Sequence, residues 1–179
     1  MSGESTAPPV TLRRALPGDE TRLSLLGAAT FLDSYAQLLP AADILAHTSK
    51  QHASEVYARW LQEPGTFCWL CEQPPGGAPV GYVVATRPDL PIPLEEGDLE
   101  IRRIYVLHRY QGGGLGRRLM QAVEQAARET ACRRLLLGVY SRNAAALDFY
   151  ARQGFSEAGT RQFRVGAHDY FDYILQRRL

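Results

Sequence analysis

Four glycines in five residues stand inside "RRIYVLHRYQGGGLGRRLMQAV", residues 102–123, between a β-branched and aromatic run and a segment of helical spacing. That order of strand, bare backbone and helix narrows the choices sharply. Glycines let an anion approach the main chain, and the first unpaired N–H groups of the helix point at it with a favourable dipole. A phosphate group is the expected guest.

Two common phosphate loops do not fit. A P-loop needs Gly-Lys-Ser/Thr after four spacer residues, but no lysine or Ser/Thr follows here, and Lys50 is the only lysine in the chain. A dinucleotide fingerprint needs G-x-G-x-x-G, and Gly112 and Gly114 lead to Arg117 in the third glycine position. Nucleotide hydrolysis and dinucleotide binding are therefore disfavoured.

The rest of the chain reads as one domain. Its 179 residues can bury a substantial core. Residues 1–9 are small, polar and proline-bearing, so a loose tail is expected there and the domain over 10–179. "VTLRRAL" reads as a strand, residues 17–39 as a helix, and residues 41–61 as a second helical region stopped by "EPG". A hairpin follows, about 66–72 and 80–86, and then "RPDLPIPLEEGD", whose prolines and acids suggest a surface excursion. A fourth strand covers 99–107. After the glycines, Leu115, Leu119, Val123 and Ala126 or Ala127 mark the buried stripe of a helix ending near Thr130. "RRLLLGVY" is a fifth strand, and "SRNAAALDFYARQGF" a short helix capped by Ser141 or Asn143 and stopped by Gly154. Strands over 156–165 and 170–176 complete an α/β (α+β) chain.

Charge and cysteine usage remove other classes. Net charge is only +1 with both signs interspersed, which gives no electrostatic reason to expect nucleic acid or an anionic membrane. No apolar run approaches a membrane span and "MSGESTAPPV" is not a secretion signal, so a cytoplasmic protein is expected. Cys68 and Cys71 lie three apart in a strand-like run, hence on opposite faces, and no second Cys/His pair completes a metal site.

What does match is Q-x-x-G-x-G, Gln111, Gly114 and Gly116, together with the N-x-x-A-x-x-F-Y-x-x-x-G-F run from Asn143 to Phe155. On these motifs the chain resembles the GCN5-related N-acetyltransferases (GNAT), over roughly residues 10–177. "ATFLDSYAQLLP", "EIRRIYV" and "LGVYSRN" are similar to the PaiA type of polyamine acetyltransferases within it.

The resemblance implies a GNAT fold: a mixed central sheet of about six to seven strands, helices on both faces, and a cleft where strands four and five splay. It implies acetyl-CoA as co-substrate, with its pyrophosphate on the backbone of Gln111, Gly112, Gly113, Gly114, Leu115, Gly116 and Arg117. Its pantetheine would pair with Ile104, Tyr105 and Val106, the Val106 N–H would polarise the thioester carbonyl, and Asn143 would touch the arm. Tyr150 would protonate the leaving thiolate. Glu100, six residues before Val106 and on the same face by parity unless a bulge intervenes, would deprotonate the amine through water.

The acceptor is less constrained. Asp33, Glu95, Glu96, Asp98, Asp169 and Asp172 could draw a cationic amine, so a small polyamine leads. Protein or peptide amines, antibiotic amines and a non-enzymatic acyl-CoA sensor are the alternatives, in a monomer or homodimer.

Overall fold

The computed structural model describes residues 9–179. The tail expected over residues 1–9 lies, but for Pro9, outside the described residues. Seven strands form one sheet in the order β1 (Thr11–Arg14), β2 (Phe67–Gln73), β3 (Ala78–Thr86), β4 (Asp98–Val106), β5 (Arg134–Tyr140), β7 (His168–Arg178), β6 (Ser156–Val165). Every neighbouring pair is antiparallel except β4 and β5. Hairpins need only short turns, whereas the one parallel pair needs a crossover, and α4 (Leu115–Glu129) supplies it.

Alternation along the strands sorts the apolar residues into two layers. Val83, Ala85, Ile101, Leu135, Leu137 and Val139 face α4, whose Leu115, Leu119, Val123 and Ala127 form the stripe expected from spacing, with Met120 beside it. Tyr150 of α5 (Ala144–Arg152) joins the same layer. On the opposite face Leu70, Tyr82 and Val84 pack against Leu23 and Leu26 of α1 (Glu20–Tyr35) and Tyr57 of α3 (Ser54–Gln62). Cys68 belongs to this second layer and Cys71 to the first, as their odd spacing requires. Burial pushes their thiols up, to about 12 and about 11, so neither is a thiolate at neutral pH.

Two expectations gain detail. Residues 41–61 are not one helix: α2 (Ala41–Gln51) ends at His52, and α3 restarts after Ala53 in extended conformation. The break lets His52 turn inward to 3% exposure, where its carbonyl accepts the Ser24 hydroxyl at 2.6 Å and its ring meets Phe31 and Tyr57. The segment "RPDLPIPLEEGD" has no regular element but is not a free excursion either. Leu90 is buried and Ile92 is packed beside it on Leu136 and Ile174, so the loop covers the sheet on the α1 side. Three prolines keep it extended while its leucine and isoleucine find the core.

Candidate functional site

Parallel pairing between β4 and β5 covers only Asp98, Glu100 and the residue between them, opposite 134–136. Beyond that the strands separate. The cause is visible in the β3–β4 register: Val84 pairs with Arg103 and Ala85 with Ile101, so Arg102 is an extra residue, a β-bulge that bends the strand. A row of main-chain groups is left facing a slot. Leu107 N–H donates to Val80 O at 2.9 Å, toward β3, so by alternation the N–H and C=O of Ile104 and Val106 point the other way, into the slot. Consistently, Val106 O accepts the Gln111 side-chain amide at 3.0 Å.

The slot opens into a cavity of about 880 Å³. Its far end is the glycine loop. Gly114 caps α4 with φ +81°, and a Cβ placed at Gly112 or Gly114 would meet no heavy atom within 4 Å, so the bare backbone borders open space. Arg118 N–H is the first to reach back to Gly114 O, which leaves the N–H groups of Leu115, Gly116 and Arg117 at the helix start without intrahelical partners. Gln111, Gly112 and Gly114 to Arg117 line this cavity, as do Ile104, Tyr105 and Val106; Gly113 is in the loop but not on the wall. Asn143 and Tyr150 line it from α5. Asn143 is the cap, its side chain accepting Ala146 N–H at 3.1 Å, and Gly154 ends the segment at φ +82°. Tyr150 is held edge-on by Phe149 and Phe155, and burial pushes its phenol up, with Tyr105 adding to the shift.

A second cavity, of about 340 Å³, lies on the α1 side of the sheet. Tyr35, Arg102, Arg103, Tyr105 and Gly138 border both cavities, so the two meet through the gap between β4 and β5. Burial raises the phenol pKa of both Tyr35 and Tyr105 at this junction. Gly138 leaves room there for the Arg161 guanidinium, which a Cβ would approach to 2.7 Å.

Glu100 is on the wall of the second cavity, at 2% exposure. The parity that put it on the face of Val106 fails because of the extra residue at Arg102. Glu100 pairs with Thr86 and faces the α1 side, while Val106 faces α4. Its carboxylate accepts Asp89 N–H at 2.7 Å and lies 3.5 Å from Arg102 Nε. Burial raises its pKa, partly offset by Arg102.

Of the other acids expected at the acceptor, only Asp172 lines this cavity. Asp98 and Glu95 form ion pairs with Arg134 and Arg178, and Asp169 faces Arg164 at 3.8 Å. Glu96 lines neither cavity. Asp33 accepts His108 N–H at 2.8 Å, which ties the end of α1 to the 3-10 turn (His108–Tyr110) before the glycines. Sequence reasoning did not find Tyr35, Arg103 or Arg161. For Arg103 a signal existed: "IRRIY" sets two adjacent charges between apolar residues in the middle of a strand.

The acetyltransferase (GNAT) family matches residues 32–155. Over 161 residues the chain is 31% identical to an uncharacterized N-acetyltransferase of Mycobacterium tuberculosis (strain ATCC 25618 / H37Rv), covering 90% of this chain and 98% of that one. A 70-residue stretch is 33% identical to the spermine/spermidine N(1)-acetyltransferase of Bacillus subtilis (strain 168), covering 38% of this chain and 46% of the other. Among solved structures, the PaiA N-acetyltransferase of Thermoplasma acidophilum in complex with coenzyme A superposes with TM-score 0.78. The sequences are 14% identical, and the match covers 96% of this chain and all of that one.

Proposed function

The chain belongs to the acetyltransferase (GNAT) family, and we propose that it moves the acetyl group of acetyl-CoA directly to a primary amine seated in the second cavity. The observation that carries this reading is the meeting of the two cavities across the β4–β5 gap, with a row of phosphate-ready N–H groups at the far end of the larger one.

The residues present suit acetyl-CoA. Gln111 to Arg117 offer backbone N–H groups and a helix dipole to the pyrophosphate, and the arginine adds positive charge. The slot-facing groups of Ile104 and Val106 can pair with pantetheine as an added strand would, with Tyr105 between them and Asn143 beside the arm. The Val106 N–H then serves as the single donor to the thioester oxygen.

An alkyl amine is almost wholly protonated at neutral pH, so a base must act before attack. Glu100 takes that proton through water; its buried, upshifted carboxylate is better matched to the task than an exposed one. The amine nitrogen bonds to the acetyl carbon, the carbon–sulfur bond breaks, the sulfur takes the Tyr150 proton, and the nitrogen gives up its second proton to water. Solvent then restores Tyr150 and receives the proton held on Glu100.

A polyamine is the finer reading that the sequence favours. It is supported by the likeness to the spermine/spermidine enzyme and by the PaiA-like segments. Of the acids gathered for it, Asp172 alone lines the acceptor cavity.

The test is acetyl-CoA binding by calorimetry and amine-dependent release of CoA. Tyr150→Phe should lower kcat about 10²- to 10⁴-fold with acetyl-CoA affinity kept. Failure of the unmodified protein to bind acetyl-CoA would end the reading.

A further inference from the structure

The second cavity holds an imbalance of charge. Arg102, Arg103, Arg161 and Arg164 line it, against Glu100 and Asp172. Three of the arginines have carboxylates close by: Arg102 has Glu100 and Asp89 at 3.5 and 3.8 Å, Arg161 has Asp172 at 2.9 Å, and Arg164 has Asp169 at 3.8 Å. Arg103 has none among the described residues. It is half-buried, with its guanidinium carbon 5.0 and 4.8 Å from the ring centroids of Tyr57 and Trp60. Its contacts are neutral: Tyr57 Oη at 2.6 Å, His52 Nδ1 at 3.3 Å and Gln51 O. A guanidinium has five N–H donors, so at least two remain for something else.

A withdrawn cation without a counter-ion is costly unless a ligand supplies one. The two nearby imidazoles do not compensate. Burial first, and Arg103 second, hold His47 down to about 4 and His52 to about 2, so both are neutral at physiological pH.

The opposite defect lies across the same cavity. Asp172 is 4% exposed and its Oδ2 takes the Arg161 guanidinium, while Oδ1 is buried without any hydrogen-bond partner. Buried carboxylate oxygens ordinarily have one. An unused donor set and an unused acceptor thus share one cavity of about 340 Å³, a size for a small molecule.

We infer that the acceptor is an amino acid-type zwitterion, whose carboxylate is held by Arg103 and whose ammonium is received by Asp172 Oδ1 before Glu100 draws off its proton. This deepens the acetyl-transfer reading and rests on it. A guanidinium fork suits a planar carboxylate, and that pairing discriminates strongly against amines lacking the acid. A polyamine would place its further ammonium groups against arginines.

The experiment measures CoA release by the full chain with free α-, β- and γ-amino acids, the matching carboxamides, and spermidine. At least one amino acid is turned over, with a KM about 10- to 100-fold below that of its carboxamide, the range expected for a hydrogen-bonded charge pair. Arg103→Gln abolishes that preference by raising KM far more for the acid than for the amide. Asp172→Asn instead weakens acid and amide alike. If Arg103→Gln proves misfolded by circular dichroism, the acid-to-amide ratio on the unmodified protein decides alone. Equal use of acid and amide, or transfer to spermidine and to no amino acid, overturns the inference while acetyl transfer stands. Absence of acetyl-CoA binding brings down the reading beneath it as well.

Discussion

At the scale of single residues, His47 and His52 couple the acceptor wall to pH. Both have folded pKa values below the unfolded value of about 6.5, so the unfolded chain binds protons first as pH falls. Stability is therefore present above pH 6.5 and is lost below it, by about 1.4 kcal/mol per pH unit for a fully buried histidine and less for the partly exposed His47. Glu100 and Asp172 act with the other sign, since upshifted carboxyls gain protons in the folded state first and stabilise it as pH drops. Urea unfolding at pH 7, 6 and 5 should show a net loss, and His52→Asn, which keeps an acceptor for Arg103 and Tyr57, should flatten that slope. A slope unchanged in the variant would show that His52 is not its source. None of this was legible in the sequence. A histidine at the end of a helical run gives no hint that the helix breaks in order to bury it.

At the scale of elements, what could be foreseen was local and what could not was relational. The short helix α5 was readable because its cap and stop lie within the segment itself: Asn143 accepts Ala146 N–H, and Gly154 takes the left-handed turn. Asn143→Ala should cost about 1 kcal/mol, seen as a lower Tm, with Asn143→Ser recovering most of it. A loss of acetyl-CoA affinity in Asn143→Ala but not in Asn143→Ser would trace to the helix start rather than to direct contact. The glycine loop was readable for a similar reason, since few other structures need four glycines between strand and helix. The bulge at Arg102 was not. Its position depends on how β3 pairs with β4, and one inserted residue reverses the face of everything on one side of it. That single residue turns Glu100 away from the face of Val106 and onto the wall of the second cavity.

At the scale of the whole molecule, the donor and acceptor halves have different connectivity. The first cavity takes most of its lining from the stretch β4 through α5, with Asp33, Ser34, Tyr35, Gln37 and Leu38 added from the end of α1 and the turn after it. The acceptor cavity instead takes walls from α1, α2 and α3 and from β6 and β7, more than 100 residues apart. One carboxylate joins these parts: Asp43 of α2 is 2% exposed, receives Tyr170 Oη at 2.8 Å and Ala167 N–H at 3.2 Å, and lies 2.7 Å from His168 Nδ1. The turn leaves no slack, because a Cβ on Gly166, at φ +58°, would run into the Asp43 carboxylate. Asp43→Asn should raise the acceptor KM several-fold while calorimetry finds acetyl-CoA affinity unchanged; an equal loss in both would mean that the hairpin supports the entire sheet. Synthesis runs from the N-terminus, so β6 and β7 leave the ribosome after every other described element, and every residue lining the first cavity is made before them. Removing β6 and β7 would take away walls of the second cavity and none of the residues that line the first.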